Sequence, residues 1–543
     1  MLYFQRVGFL GAVSLGAAAL ILLPILAVVA SVFGATGGTW AHLARTALGS
    51  YVLNTALLIA GVAAGVVSMG VLSAWLVTAY RFPGQRVLEW ALVLPLAMPA
   101  YVMAYAYTDW LQFTGPVQGW LRAASGWQAR EYWFPEIRSL GGAALLLSFA
   151  LYPYVYLLAR TAFLDISRSA LEAGRLAGYG AWGSFWRVAL PIARPAIAAG
   201  TALALMETLA DFGTVSYFAL EVFTTGIFKV WMSMGDPVAA GQLSACLLAF
   251  VVVVLALERA SRGRAGYASA MRKSATPQQL SGPAAALACA ACAAPVLLGF
   301  LLPAGLLLQL AWSDPGARGA ARLAALVGNS FILAGIAAAA GVLLATAMAY
   351  ASRLSPGRLV AAANRAAALG YAVPGAVIAV GVLVPLGRLD NWIADGLEAA
   401  FGVKPGLLLT GTVVALVYAY LVRFLAVALQ TMEAGLAKVT LRMDDAARSL
   451  GATPSQALVR VHAPLLASSL ASAALLLFVD VMKELPATFA LRPFNFDTLA
   501  IEAYNLAQDE RLSEAAVPSL VIVAIGLAPL LLVSKRYFQA ARS

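Results

Sequence analysis

The chain has 543 residues, 62% apolar and only 11% charged, with a mean hydropathy of +0.84 and a net charge of +11. An ordinary soluble protein has no use for so many unbroken apolar runs, whereas runs of about 20 residues are what a bilayer span requires. The composition excludes a soluble globular domain and predicts an all-α integral membrane protein.

Twelve apolar runs qualify as spans, six in each half: 8–33, 51–80, 87–108, 140–159, 195–212 and 241–257, then 284–312, 326–350, 359–387, 406–429, 465–482 and 515–533. The first is expected to be a span and not a cleaved signal, because its apolar stretch far exceeds the ~7–15 residues of a signal core. With the N-terminus in the cytoplasm, an even number of spans returns the C-terminus there. Arg81, Arg86, Arg262, Arg264, Arg353, Lys535 and Arg536 then fall on the cytoplasmic side, as the positive-inside rule expects. The net positive charge is therefore topological, and no nucleic-acid partner follows from it. Cys289 and Cys292 have metal-like spacing, but they sit inside an apolar span with no other Cys or His nearby and read as small packing residues. No firm metal site is expected.

One pattern occurs twice at a constant offset. Glu172-Ala173-Gly174 is followed by Gly178 and Pro191, and Asp445-Ala446-Ala447 by Gly451 and Pro464. Without a gap, 172–236 lies on 445–509 with 11 identities in 65. Two copies of one module follow, so function is read per half. The first half is 1–258, with a cytoplasmic loop at about 160–194. A polar linker covers 259–283. The second half is 284–543, with its loop at about 431–464. Asn54-Thr55 and Asn329-Ser330 open spans two and eight, and Arg81-Phe82-Pro83-Gly84 and Arg353-Leu354-Ser355-Pro356-Gly357 close them. Both copies start on the same side, which makes them parallel repeats about an axis along the membrane normal.

Each loop is predicted to hold two short helices joined by a glycine. Gly451 stops the first, since glycine tolerates positive φ after a helix end. Thr453 caps the second, Pro454 suits its first position, and Gln456 completes a capping box. Leu458, Val461 and Leu465 recur at helical spacing, as do Trp182, Phe185, Trp186 and Ala189 in the first copy. Pro191 and Pro464 are expected to end these helices before the next span. An amphipathic helix of this kind either lies in a partner's groove or rests on lipid headgroups. The repeated acid–glycine–proline spacing favours the partner.

The signature E-A-A, three residues, G, then a segment closing on L-P resembles the coupling loop of binding-protein-dependent ABC importer permeases. Glu172, Ala173, Gly178, Leu190 and Pro191 match in the first copy, and Ala446, Gly451 and Pro464 in the second. Gly174, Asp445 and Ala463 depart from the pattern, which puts conventional docking of the second loop in doubt. The resemblance implies a type I importer-like permease whose loops dock into separate cytoplasmic ATPase subunits. ATP and magnesium are then used by that partner, and no cofactor is bound by this chain. The absence of a G-x-x-x-x-G-K-[ST] phosphate loop agrees with energy supplied from outside, by a partner or by an ion gradient.

Intramembrane charges are costly and commonly functional. Glu207 and Asp211 in the first copy align with Asp480 and Glu484 in the second, beside Lys483. Each acid pair is four residues apart and is expected on one helix face, in the outer half of the bilayer, with Glu207 about 18 Å beyond Pro195 at 1.5 Å per residue. Two readings stand: a translocation pathway, or the outer ends of short spans. Lys483 is expected to pair with Asp480 or Glu484. The stretches Met206–Thr214 and Asp480–Thr488, followed by Leu491-Arg492-Pro493-Phe494, resemble those of ferric-iron-type permeases over nearly the whole chain. Thiamine, polyamine, sulfate and aminoethylphosphonate permeases share the architecture. The resemblance implies an inner-membrane subunit without enzymatic activity, two ATPase subunits and an external (periplasmic) binding protein. A secondary transporter driven by an ion gradient is the alternative from another class. Tyr101, Tyr105 and Tyr107, beside Asp109 and Trp110, read as an outer aromatic belt in preference to iron-binding phenolates. The outside segment 110–139 either receives a binding protein or caps the bundle. His462 reads as a contact-surface residue.

Overall fold

The computed structural model describes residues 9–128, 131–166, 178–262, 277–313, 320–355, 357–403 and 405–540. Among these, ten helices are long and apolar enough to cross a membrane singly, and two bent helix pairs raise the number to twelve. The all-α class and the span count agree with the sequence. The bent pairs are Gln85–Ala97 with Ala100–Ser125, at 93°, and Pro454–Leu465 with Ala467–Met482, at 78°.

The third and ninth runs differ from expectation in the same way. Neither is one uninterrupted helix: short helices Gln85–Ala91 and Arg358–Ala368 are followed by single 3₁₀ turns, and only then by Ala100–Leu111 and Gly375–Phe401. Proline sets both breaks. Met98 and Val373, each preceding a proline, are extended (ψ 107° and 124°), because the proline ring disfavours helical backbone in the residue before it. Pro99 and Pro374 then start the next helix as N-caps. The ninth span is therefore Gly375–Phe401 and not 359–387.

Pro191 and Pro464 also act otherwise than expected. In each loop a π-helical turn, Phe185–Ala189 or Leu458–His462, ends two residues before the proline, as Leu297–Leu301 does before Pro303. A proline ring clashes with the carbonyl four residues back, and the wider π turn moves that carbonyl aside. In the first copy the helix consequently runs on, unbroken, as Trp182–Ala210. In the second it bends after Leu465.

The chain forms two compact units that cut across the sequence halves 1–258 and 284–543. One comprises Met1–Thr39, Ile227–Ala245 and Ala320–Glu502; the other comprises Trp40–Gly226, Cys246–Gly319 and Ala503–Ser543. Within the first, span one (Phe9–Ser31) packs on Gly375–Phe401 so closely that a Cβ at Gly381 would lie 2.5 Å from the Pro24 carbonyl oxygen. The Tyr418 hydroxyl donates to the Leu20 carbonyl in the same unit. Span one carries no charge and no polar stripe, so its sequence specifies burial without specifying the partner. Within the second unit, Gly282–Ser313 and Leu512–Leu531 join spans two to five. Tyr107 donates to the Leu298 carbonyl at 2.6 Å, and the linker's end, Gln278–Gln279, pairs parallel with Tyr80–Arg81.

Candidate functional site

The loop between spans ten and eleven takes the predicted form. Helix Leu441–Ser449 ends where Ala452 N–H reaches back to Ala447 O at 3.0 Å around Gly451 at φ +81°. Thr453 and Gln456 make both bonds of the capping box, with Pro454 in the first turn. In the first loop Glu172 and Ala173 lie outside the described residues. Gly178, however, also has φ +81°. A Cβ at either glycine would meet nothing within 4 Å, so backbone conformation alone calls for glycine there. Asp445 is exposed and bonds only its neighbour Arg448, three residues on, and Ala446, Pro191 and Pro464 are exposed as well.

Both loops present apolar side chains outward: Trp182 and Trp186 in one, Leu450 and Val459 in the other. The inward side differs. Phe185 packs against Trp75 and Phe163, with ring centroids 5.2 and 6.5 Å away. In the second loop the inward residue is His462, which is fully buried. The expectation of a surface histidine is therefore corrected: the π turn rotates it inward.

The charges divide into two kinds. Helix Leu190–Ala210 ends before Asp211, and Ala467–Met482 ends before Glu484. The two acids of each pair therefore do not share a helix face. Asp211 instead accepts bonds from Thr214 N–H, Thr214 O–H and Val215 N–H at 3.1–3.2 Å. Glu484 accepts from Ala487 N–H, Thr488 N–H and Thr488 O–H at 2.6–2.9 Å. Both thus cap the short helix that follows, Gly213–Tyr217 or Pro486–Leu491, through the same third and fourth residues onward. Glu484 is also paired at 3.1 Å with Arg423, a buried cation on span ten that the sequence reading passed over. A lone arginine in an apolar helix was the available signal. Glu207 and Asp480 lie within their helices, half-buried, and Asp480 pairs with Lys483 at 2.9 Å.

The Asn-Thr and Asn-Ser pairs, read from sequence only as repeat markers, turn out to be matching clamps. Asn54 donates to Glu221 O and Thr55 accepts from Phe223 N–H; Asn329 donates to Asp497 O at 3.1 Å and Ser330 accepts from Leu499 N–H at 2.9 Å. In each copy the start of span two or eight holds the first turn of helix Phe223–Phe228 or Leu499–Gln508. Asn329→Ala is expected to lose about 1–3 kcal/mol locally, the cost of stranding a partly buried carbonyl. Hydrogen exchange of residues 497–503 should then accelerate while that of 221–226 stays unchanged.

Tyr101, Tyr105 and Tyr107 are buried, Tyr105 with its ring 4.8 Å edge-on to Tyr217. An interfacial belt would face lipid, so that expectation is corrected. Trp120, Trp127, Trp133, Trp312 and Trp392 are the exposed tryptophans outside the two glycine-hinged loops among the described residues. Cys292 is buried, and no cluster of three metal-ligating side chains occurs among the described residues.

Residues 67–262, from span two to the end of span six, match the family described as "Binding-protein-dependent transport system inner membrane component". The chain is 25% identical over 501 residues to the Fe(3+)-transport system permease protein FbpB 2 of Haemophilus influenzae, covering 91% of each. It is 28% identical over 194 residues to the sulfate transport system permease protein CysT of Escherichia coli, covering 35% of this chain and 67% of that one. With the E. coli molybdenum transport system permease protein ModB it shares 27% over 207 residues, 36% of this chain and 87% of the relative. Ten to twelve candidate spans among the described residues, two glycine-hinged loops and this match define a multi-pass membrane permease of an ABC importer. Residues 67–262 thus carry the binding-protein-dependent transport permease module, and the similarity to FbpB 2 extends over both halves of the chain.

Proposed function

We propose that this chain supplies both membrane halves of an importer for ferric iron. Its two loops engage two separate ATPase subunits in the cytoplasm, which bind and hydrolyse ATP with magnesium, and an external binding protein delivers the cargo. This chain binds no cofactor of its own. It sits in a bacterial inner membrane with both termini cytoplasmic. Glu172, Ala173, Gly178 and Pro191, and Asp445, Ala446, Gly451 and Pro464, form the coupling surfaces.

The observation that carries this reading is the pair of glycines at the same φ of +81°, each leading into a helix with outward apolar side chains. Two matched levers suit two identical engines. The cargo assignment rests on the relative named for Fe(3+) transport, which aligns over 91% of both chains, whereas the sulfate and molybdenum relatives align with about a third of this one. Glu207 and Asp480, at aligned positions, offer the oxygen ligands that a hard cation prefers. Asp211, Lys483 and Glu484 hold the neighbouring backbone and charges in place beside that path.

The test is uptake of radiolabelled ferric iron into vesicles holding the chain, its ATPase and its binding protein. Replacing both Glu207 and Asp480 by Ala should cut uptake at least about tenfold, or about 1.4 kcal/mol of barrier, with the ATPase still bound. Unchanged uptake rejects their role. Uptake of sulfate in place of iron rejects the cargo, and uptake by the chain alone on an ion gradient rejects the ATPase.

A further inference from the structure

Two adjacent acids on helix Leu441–Ser449 face different ways. Asp445 is exposed. Asp444 turns inward, where its Oδ2 accepts from Arg353 Nε at 2.7 Å and its Oδ1 accepts from His462 Nε2 at 2.6 Å. Arg353, at the cytoplasmic end of span eight, also donates to the carbonyls of Leu436 and Val439 at 2.9 Å and Thr440 at 3.2 Å. These are the residues that join span ten to the loop. His462 is fully buried, its Nδ1 has no hydrogen-bond partner among the described residues, and Tyr350 of span eight meets its ring edge-on at 5.3 Å. The Tyr350 hydroxyl reaches the Pro454 carbonyl at 2.9 Å. Both helices of the second loop are thus tied to one turn of span eight.

By sequence the first copy lacks the acid and the imidazole: at the positions aligned with Asp444 and His462 it carries Leu171 and Ala189. Among the described residues its inward contact is the Phe185–Trp75–Phe163 aromatic packing. Aromatic pairs prefer certain ring orientations but carry no charge-assisted hydrogen bond. A carboxylate held between a guanidinium fork and an imidazole fixes position as well as distance.

We infer that Arg353, Asp444 and His462 form a latch that makes the second coupling loop and span eight move as one body, so that the two loops transmit force unequally. These are positioning residues: they touch neither cargo nor nucleotide. The inference rests on the importer reading for its consequence, and on the structure alone for the latch itself. A carboxylate oxygen can only accept, so the Nε2 edge of the ring supplies the proton of this bond.

His462→Phe keeps a ring in the cavity and removes the donor; His462→Gln restores a donor at the Nε2 position. In the full chain with its ATPase and binding protein, His462→Phe should leave the ATPase bound. Amides of 441–462 should exchange about tenfold faster, the factor that goes with losing one charge-assisted hydrogen bond, while 178–189 stays unchanged. Ferric ions moved per ATP hydrolysed should fall severalfold. His462→Gln should return both readouts close to those of the unchanged chain. If His462→Phe does not insert, Arg353→Lys carries the same exchange test, because an ammonium cannot span the carboxylate and three carbonyls. Unaltered exchange in 441–462, or Gln behaving no better than Phe, overturns the latch. A native chain that captures no ATPase overturns the importer reading instead, and the exchange experiment still judges the latch.

Discussion

Valine in place of Gly451 is expected to abolish most ATP-dependent uptake while leaving the transmembrane bundle intact. The glycine holds φ at +81° with open space where a Cβ would stand, so the substitution causes no clash. Its whole effect is backbone: a β-branched residue in this region costs about 1–3 kcal/mol. The chain escapes that cost by leaving the left-handed conformation, which swings helix Leu441–Ser449 relative to the helix capped by Thr453. Asparagine visits the same region readily, so Gly451→Asn should keep more than half of the uptake where Gly451→Val keeps about a tenth or less. The pair separates conformation from side-chain chemistry. Gly178, at the same angle and equally unobstructed, should behave alike. Co-purification of the ATPase subunits with each variant shows whether docking or transmission is lost. Equal uptake by the valine and asparagine variants would show that the left-handed hinge is dispensable.

The second large effect concerns Arg423 and Glu484. Both side chains are buried, the carboxylate almost entirely, at 3.1 Å from each other. Removing only the cation leaves a buried carboxylate that still caps helix Pro486–Leu491 through Ala487 and Thr488. Arg423→Met is therefore expected to cost about 3–5 kcal/mol, the range for orphaning one member of a buried pair. Glu484→Gln alone removes the counter-charge of the buried guanidinium and weakens the cap, so it should also destabilise strongly. The double variant should recover part of the loss, because neither charge is then left buried without its partner. Thermal unfolding of the four proteins in one detergent measures the coupling. Additive losses would mean that the pair makes no joint contribution. Gly375 belongs to this site: a Cβ there would fall 2.5 Å from the Arg423 guanidinium and 2.9 Å from the Glu484 carboxylate. Substitutions at Gly375 should accordingly resemble Arg423→Met.

The acids at Asp211 and Glu484 show how a correct alignment can carry an incomplete role. Their equivalence was plain in the constant offset of 273 residues. Treating them as continuing the helices of Glu207 and Asp480 put them on a shared face. The chain leaves the helix first, and their carboxylates are occupied by backbone N–H groups three and four residues on. Spacing cannot reveal this, because a helix end without a glycine or an immediate proline carries no strong local signal. The prolines misled differently. Pro191 reads as a stop, yet a π turn in front of it lets the helix continue, and no propensity argument anticipates a wider turn.

What the sequence determined by itself is whatever depends on residues near one another in the chain: the apolar runs, the duplicated module, the glycine hinge and the capping box at Thr453. Each follows from backbone sterics or local hydrogen bonding, so short segments suffice to specify it. Tertiary structure alone decided that span one packs with spans eight to ten and that Arg423 meets Glu484. It also decided that Arg353, Asp444 and His462 converge, and that Asn54 and Asn329 clamp helices more than 160 residues away. The reason is that apolar surface is buried without preference for its partner, so which helices meet is settled by close packing over the whole fold. Polar groups find their distant partners only after that choice is made.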